Sequence, residues 1–243
     1  MNRRAVCRYI EEVGLLPVLR LPSADLMGSA VEALLAAGVS VCEVTMTVPG
    51  AVDVIRQLVA RFGDRALIGA GMVLSADDAT ACIDAGAHFV VSPGLDLPTI
   101  AAAHARDIAV LPGALTPTAV MIAWKAGADM VKIFPCSSFG GAKYVRALKG
   151  HMPDVKMVTS GGISQSTAYE YVAAGAAALG IGSELIDRAA LDTGWDGDLT
   201  RRAGDLMAAI QAARSGTPFV SMRMAENAIA QCGSAPAPSM IAF

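Results

Sequence analysis

Short apolar runs alternate with helix-type stretches along most of this 243-residue chain, and this alternation limits the possible folds more than any other feature. Each run is apolar almost throughout, whereas a strand with one wet face alternates between apolar and polar positions. The eight runs occupy residues 15–20, 41–46, 66–73, 88–93, 108–113, 130–135, 155–161 and 177–183. Continuous apolarity is typical of strands buried on both faces, so the sequence predicts a parallel sheet covered by helices.

The segments between the runs carry the end signals of helices. Several begin with Ser or Asp, which cap helix N-termini, and four end in an Ala-Gly pair before the next run. Eight strand–helix units in about 200 residues favour an α/β fold of the (β/α)8 TIM-barrel type over an open doubly wound sheet. We predict this barrel over residues 1–215, with an extra N-terminal helix at 3–13 and a last outer helix at 199–214. We expect the tail, 216–243, to be partly disordered or docked on a neighbouring subunit.

Composition narrows the range of partners. The formal net charge is −3, without the clustered basic charge that phosphate-backbone binding requires, so we expect no nucleic-acid partner. No run reaches the roughly 20 apolar residues of a membrane-spanning helix. Glu11 and Glu12 lie where a signal peptide keeps apolar residues. We therefore expect a cytoplasmic protein with a small-molecule partner and no membrane contact.

Cysteine and histidine usage gives no sign of a metal. The five cysteines are odd in number and lack a CxxC pair, and the three histidines are scattered without an HxH or HExxH pattern. We expect reduced thiols, no metal site and no dinucleotide cofactor, because the GAG at 69–71 lacks the GxGxxG spacing.

Two ionisable residues interrupt otherwise apolar runs near the strand ends, where (β/α)8 barrels carry their active sites. Lys132 lies in MVKIFP. A desolvated amine tends to be neutral, and a neutral amine attacks a ketone to form a Schiff base. Glu43 lies in VCEVTM, where a carboxylate in apolar surroundings can transfer protons as a general acid or base. The alternative is a purely structural ion pair between Glu43 and Lys132, since buried charges are usually paired.

Small residues end the seventh and eighth runs. Ser160, Gly161 and Gly162 end one of them, and Gly182 and Ser183 end the other. Glycine lets backbone N–H groups approach a phosphate, and the loops after strands 7 and 8 are the recurrent phosphate site of such barrels. The alternative is a pair of plain tight turns. Because both loops occur at the two expected strands, we favour phosphate binding.

With these residues in view, the sequence resembles the 2-keto-3-deoxy-6-phosphogluconate (KDPG) and 4-hydroxy-2-oxoglutarate (KHG) aldolase family, whose members are class I, Schiff-base-forming aldolases. The resemblance extends over residues 12–213. It is carried by PVLR (17–20), EVTMTVPGA (43–51), IGAGMVL (68–74), SPG (92–94), PGALTPTA (112–119), VKIFPCSSFGGAKYVRALKG (131–150), SGGIS (160–164) and GIGSEL (180–185). The likeness implies a TIM barrel that needs no cofactor and assembles as a homotrimer.

The resemblance also implies a role for each candidate residue. Lys132 would form the Schiff base, Glu43 would transfer protons, and the ring of Phe134 would pack beside the imine. The Ser160 hydroxyl would lie near the cleaved bond. The other substrate contacts would come from Pro93 in the SPG segment and, around the phosphate, from Gly161, Gly162, Gly182 and Ser183.

Three places depart from the family pattern, and the mildest is Thr159-Ser160 in place of the usual Pro-Thr, which keeps one hydroxyl. Many members carry Arg at the position of Thr47, and that Arg helps to hold the pyruvyl carboxylate. The family's GAGT motif places a Thr where this chain has Met72, so a hydroxyl near the same carboxylate is lost. We therefore take Arg20 as the carboxylate-binding candidate, because a guanidinium binds a carboxylate through two parallel hydrogen bonds. Thr47, Met72 and Arg20 all count among the substrate-binding candidates.

The sequence thus predicts an aldehyde-lyase acting on a 2-keto-3-deoxy-6-phospho sugar acid of the 6-phosphogluconate or 6-phosphogalactonate type. The products would be pyruvate and glyceraldehyde 3-phosphate. One alternative is an aldolase for a non-phosphorylated 2-keto acid such as 4-hydroxy-2-oxoglutarate. Another is a non-catalytic barrel that binds a sugar phosphate. The presence of both Lys132 and Glu43 favours an enzyme.

Overall fold

The computed structural model describes residues 1–186 and 198–219, which form a barrel of parallel strands surrounded by helices. The strands are β1 Leu15–Leu19, β2 Val41–Thr45, β3 Leu67–Gly71, β4 Phe89–Val91, β5 Ala109–Leu111, β6 Gly113–Ala114, β7 Val131–Ile133, β8 Met157–Ser160 and β9 Ala178–Ile181. They are hydrogen-bonded in the order β5-β4-β3-β2-β1-β9-β8-β7-β6, and every pair is parallel. The predicted barrel is confirmed.

One predicted run, 108–113, is divided into two short strands. Pro112 separates β5 from β6, and proline has no backbone N–H to donate to a strand ladder. β5 pairs with β4, whereas β6 pairs with β7, so this single stretch of chain joins the two ends of the sheet. The nine strands of the described residues therefore correspond to the eight predicted runs.

Helices alternate with the strands on the outside of the barrel. They are α1 Arg3–Val13, α2 Ala24–Ala36, α3 Ala51–Phe62, α4 Ala76–Asp84, α5 Leu97–His104, α6 Pro117–Lys125, α7 Gly141–His151, α8 Gln165–Ala173 and α9 Asp198–Ser215. A 3-10 turn, Ser137–Phe139, precedes α7. The side chains of Ser23, Ser75, Asp96 and Thr116 accept a backbone N–H at their helix N-termini, as the sequence signals indicate.

The extra N-terminal helix and the last outer helix form where they are predicted. α1 buries Val6, Cys7 and Ile10 and contacts β1, β5 and β9. The Arg214 guanidinium of α9 donates to the carbonyl oxygens of Glu11 and Glu12, the last turn of α1, which ties the two helices together.

Only the start of the predicted tail lies within the described residues. There the Phe219 ring stacks on Tyr169 of α8 with centroids 6.3 Å apart. Residues 220–243, the rest of the predicted tail, lie outside the described residues, as does Cys232. The other four cysteines are buried and free. In the part of the chain that the structure describes, no helix is long and apolar enough to cross a membrane.

Candidate active site

Lys132 and Glu43 meet inside the barrel. Lys132 lies on β7 and Glu43 on β2, and three strands separate these two walls along the sheet. Their side chains therefore reach each other across the barrel interior, where Lys132 Nζ lies 3.8 Å from Glu43 Oε1. Lys132 is 4% exposed and Glu43 is 1% exposed. The two predicted catalytic residues thus share one buried position, an arrangement that suits either proton transfer or a structural ion pair.

Glycines on β3 make room for the Glu43 side chain. Register pairs Glu43 with Gly69 and Thr45 with Gly71, so these residues point to the same side of the sheet. A Cβ at Gly71 would lie 1.7 Å from Glu43 Oε1, and one at Gly69 would lie 2.2 Å from the Phe89 ring. In the sequence this GAG segment lacks dinucleotide-motif spacing and belongs to the IGAGMVL part of the family resemblance. Its glycines in fact clear the space that Glu43 and Phe89 occupy.

The Glu43 carboxyl is electrostatically perturbed. Burial raises its pKa above the ordinary glutamate value, and the positive charges of Lys132 and Arg20 act in the opposite direction. Its Oε1 has no hydrogen-bond partner within the described residues, because the 3.8 Å separation from Lys132 Nζ exceeds hydrogen-bond length. A carboxyl whose pKa is raised in this way is suited to take and return a proton.

Phe134 and the glycine loop of β8 form one wall beside the lysine. The ring centroid of Phe134 lies 5.4 Å from Lys132 Nζ, within the range of a cation–π contact. Gly161 packs against this ring, since a Cβ there would lie 3.2 Å from it. Gly161 and Gly162 have φ values of 92° and 75°, a left-handed backbone that lets the chain turn sharply after Ser160.

Above this wall opens a cleft of about 310 Å³ at the ends of β8 and β9. Its lining includes seven of the predicted site residues: Arg20, Phe134, Ser160, Gly161, Gly162, Gly182 and Ser183. The backbone N–H groups of the four loop residues, Gly161, Gly162, Gly182 and Ser183, donate to no backbone acceptor within the described residues. Free N–H groups next to a Ser hydroxyl suit an anionic ligand group such as a phosphate.

The other three predicted contacts lie at the ends of β2, β3 and β4, away from the cleft. Thr47 is exposed, and its hydroxyl lies 2.9 Å from that of Thr45, a buried residue at the end of β2. Met72 follows β3 with φ 56°, an uncommon left-handed conformation for a non-glycine residue. Pro93 is half-buried, and its carbonyl carbon and oxygen lie where a Cβ at Gly113 would stand. Between residues 1–186 and 198–219, no cluster of His, Cys, Asp and Glu could hold a metal ion.

A family model described as KDPG and KHG aldolase matches residues 6–201. The chain belongs to this family. The family resemblance, and with it the predicted class of enzyme, is therefore confirmed.

Individual members of the family agree with this assignment. A 2-dehydro-3-deoxy-6-phosphogalactonate aldolase of Escherichia coli (strain K12) is 34% identical over 172 residues, covering 70% of this chain and 83% of that protein. A 2-dehydro-3-deoxy-phosphogluconate aldolase of Haemophilus influenzae is 32% identical over 205 residues, covering 83% and 96%. A KDPG aldolase from Legionella pneumophila, with pyruvate captured at low pH as a covalent carbinolamine intermediate, has a TM-score of 0.77. It is 28% identical, and the match covers 85% of this chain and 98% of that one.

Proposed function

We propose that this aldolase cleaves a 2-keto-3-deoxy-6-phospho sugar acid, of the 6-phosphogluconate or 6-phosphogalactonate type, to pyruvate and glyceraldehyde 3-phosphate. The observation that carries the proposal is the buried Lys132 amine, which faces the Glu43 carboxyl across the barrel and has the Phe134 ring beside it. Relatives of both substrate types, one named for phosphogalactonate and one for phosphogluconate, support the substrate class.

The reaction begins when the nitrogen lone pair of the Lys132 amine adds to the C2 ketone. The resulting carbinolamine loses water, and a protonated imine forms between Lys132 and C2. The bond between C3 and C4 then breaks, and its electron pair moves toward the imine to give an enamine. Glu43 accepts the proton of the C4 hydroxyl, so that glyceraldehyde 3-phosphate leaves as a free aldehyde.

Glu43 then returns its proton to C3 of the enamine, which converts the methylene group to the methyl group of pyruvate. Water hydrolyses the imine, releases pyruvate and restores the Lys132 amine. The charge of the imine acts as the electron sink, so the proposed chemistry requires no metal or organic cofactor. The raised pKa of Glu43 suits a group that must be ionised in one step and protonated in the next.

The remaining site residues hold the two ends of the substrate. The loop N–H groups of 161–162 and 182–183, with the Ser183 hydroxyl, bind the phosphate. The Ser160 hydroxyl lies near the cleaved bond. The pyruvyl end contacts the residues at the ends of β1–β4, namely Arg20, Thr47, Met72 and Pro93, with Arg20 as the carboxylate anchor.

Borohydride reduction in the presence of pyruvate tests the proposal. We expect one reduced adduct, located at Lys132 by peptide mass spectrometry, because this amine is buried beside Glu43 and Phe134. Lys132→Arg should lose both the adduct and cleavage, whereas Lys125→Arg on the exposed surface should keep both. A label on Lys125, Lys143, Lys149 or Lys156, or no label, would contradict the assignment.

We also infer a homotrimer in the cytoplasm, with residues 1–215 as the barrel and 216–243 as a tail. The large apolar side chains exposed on the described surface are consistent with assembly; besides Met1, they are Leu74, Leu97, Met121, Ile122 and Phe139. Light scattering should give a mass three times the 24.9 kDa of one chain, and a monomeric mass would contradict the trimer.

A further inference from the structure

Two oppositely charged side chains line the cleft at the ends of β8 and β9. Arg20 enters it from the end of β1, and Glu184 follows Ser183 in the loop after β9. Both residues are exposed. Within the described residues, neither side chain forms an ion pair or a side-chain hydrogen bond, and the two do not pair with each other. Their charges are therefore available to whatever enters the cleft.

Exposed charges elsewhere in the described residues differ in this respect: some are paired, and others, such as Glu12 and Glu170, are not. Arg65 pairs with Glu32 and Lys156 pairs with Glu11, as do several other exposed charges. A carboxylate left unpaired at the rim of a cleft differs from these pairs, because a ligand meets its full charge.

The turn that carries Glu184 is held at both ends. The N–H groups of Leu185 and Ile186 donate to the Gly182 carbonyl at 2.9 and 3.0 Å, and both side chains are buried. From α9, Arg202 Nη1 donates to the Glu184 carbonyl oxygen at 3.4 Å. The backbone of Glu184 is thus fixed in the loop that carries the Gly182 and Ser183 N–H groups, and its side chain lines the same cleft.

A carboxylate at this position acts differently on the two kinds of substrate end. It repels a phosphate, which carries up to two negative charges, but it accepts a hydrogen bond from a hydroxyl. We propose that Glu184 lowers the preference of this cleft for a phosphate over a hydroxyl at the far end of the substrate. The enzyme then also cleaves 2-keto-3-deoxy sugar acids that end in a free hydroxyl, an inference that rests on the aldolase function proposed above.

The test compares kcat/KM for a 2-keto-3-deoxy-6-phospho sugar acid and for the same sugar acid without the phosphate. In Glu184→Gln, the ratio of the two values should rise about three- to tenfold, as expected from removing one charge that repels the phosphate in a largely aqueous cleft. The rise should come mainly from a lower KM for the phosphorylated substrate. The matched control is Glu170→Gln on α8, an exposed carboxylate outside the cleft, which should leave the ratio unchanged.

Two results would overturn the role of Glu184: a ratio in Glu184→Gln that stays within twofold of wild type, or one that falls. Glu184→Ser provides a second variant, because it removes the charge and shortens the side chain, and it should move the ratio in the same direction. Wild-type cleavage in the same assay separates this inference from the proposed function. If the wild type cleaves neither substrate, the proposed function fails, whereas cleavage with an unchanged ratio in both variants rejects only Glu184.

Discussion

The buried centre at Lys132 and Glu43 and the open cleft at the ends of β8 and β9 are built by opposite means. In the buried centre, side chains from opposite walls of the barrel meet in a space that Gly71 leaves open. In the cleft, loop N–H groups and the exposed charges of Arg20 and Glu184 face solvent. The chemistry is therefore carried by strand residues with fixed neighbours, whereas substrate selection is carried by loops.

This difference has an energetic consequence. A charge in the buried centre acts in a medium of low effective dielectric constant, so its removal changes the proton affinity of its neighbour strongly. A charge at the rim of the cleft is screened by water and salt. We therefore expect substitutions in the buried centre to change activity most, and substitutions of residues that line the cleft to change it less.

The largest effect is expected for Glu43→Gln. Borohydride trapping of pyruvate should survive, because the Lys132 amine is retained. Cleavage and the exchange of pyruvate methyl protons should fall about 10²- to 10⁴-fold, the usual contribution of a general acid or base. Glu12→Gln, an exposed residue of the α1 end, is the control and should behave as wild type. Exchange close to the wild-type rate would mean that Glu43 is only the structural partner of Lys132.

The contrast between the two regions also explains what the sequence could and could not predict. Strands buried on both faces are apolar throughout, so the eight strand runs can be predicted from the sequence pattern alone. The helix at 3–13 can be predicted from the pattern as well. Lys132 and Glu43 stand out because they interrupt such runs. The division of run 108–113 into β5 and β6 at Pro112 could not be predicted, because it depends on which neighbouring strand each half pairs with.

Other features depend on contacts between distant strands. The role of Gly71 becomes visible only when the side chain of Glu43, on the neighbouring strand, is placed against it. The left-handed backbone of Met72 has no signal in the sequence, because Met rarely adopts it. Glu184 belongs to the GIGSEL segment in the sequence, and only the structure shows that it lines the cleft without an ion-pair partner among the described residues.

A smaller effect is expected for Arg20→Ala, since Arg20 is exposed in the lining of the cleft, although its charge also acts on Glu43. If Arg20 anchors the pyruvyl carboxylate, the Kd for pyruvate should rise roughly ten- to a hundredfold, the loss of a charge-assisted hydrogen bond worth about 1.5 to 3 kcal/mol. An unchanged Kd for pyruvate, with weaker inhibition by inorganic phosphate, would assign Arg20 to the cleft instead. Arg8→Ala, on the exposed face of α1, is the control.

The same variant has a second readout in the pH profile. The positive charge of Arg20 lowers the pKa of Glu43, so its removal lets that pKa rise further. Glu43 must be ionised to accept the C4 hydroxyl proton, and the rate therefore falls as the pH drops through its pKa. In Arg20→Ala, the acidic limb of the pH profile of kcat should move to higher pH, whereas in Arg8→Ala it should not move.

The smallest effect concerns Met72, where the conformation of the backbone decides which substitution is tolerated. The family Thr would restore a hydroxyl near the carboxylate, but Thr is β-branched and fits poorly at φ 56°. Asn offers a polar group as well and adopts the left-handed region more readily. We expect Met72→Thr to be less stable than Met72→Asn by about 1 kcal/mol, measured by urea unfolding, because left-handed strain is larger for β-branched Thr than for Asn. If Met72→Thr is as stable as Met72→Asn and binds pyruvate more tightly than the wild type, the left-handed turn after β3 relaxes at little cost. The missing hydroxyl, and not the backbone, would then be what separates this pyruvyl pocket from the family pattern.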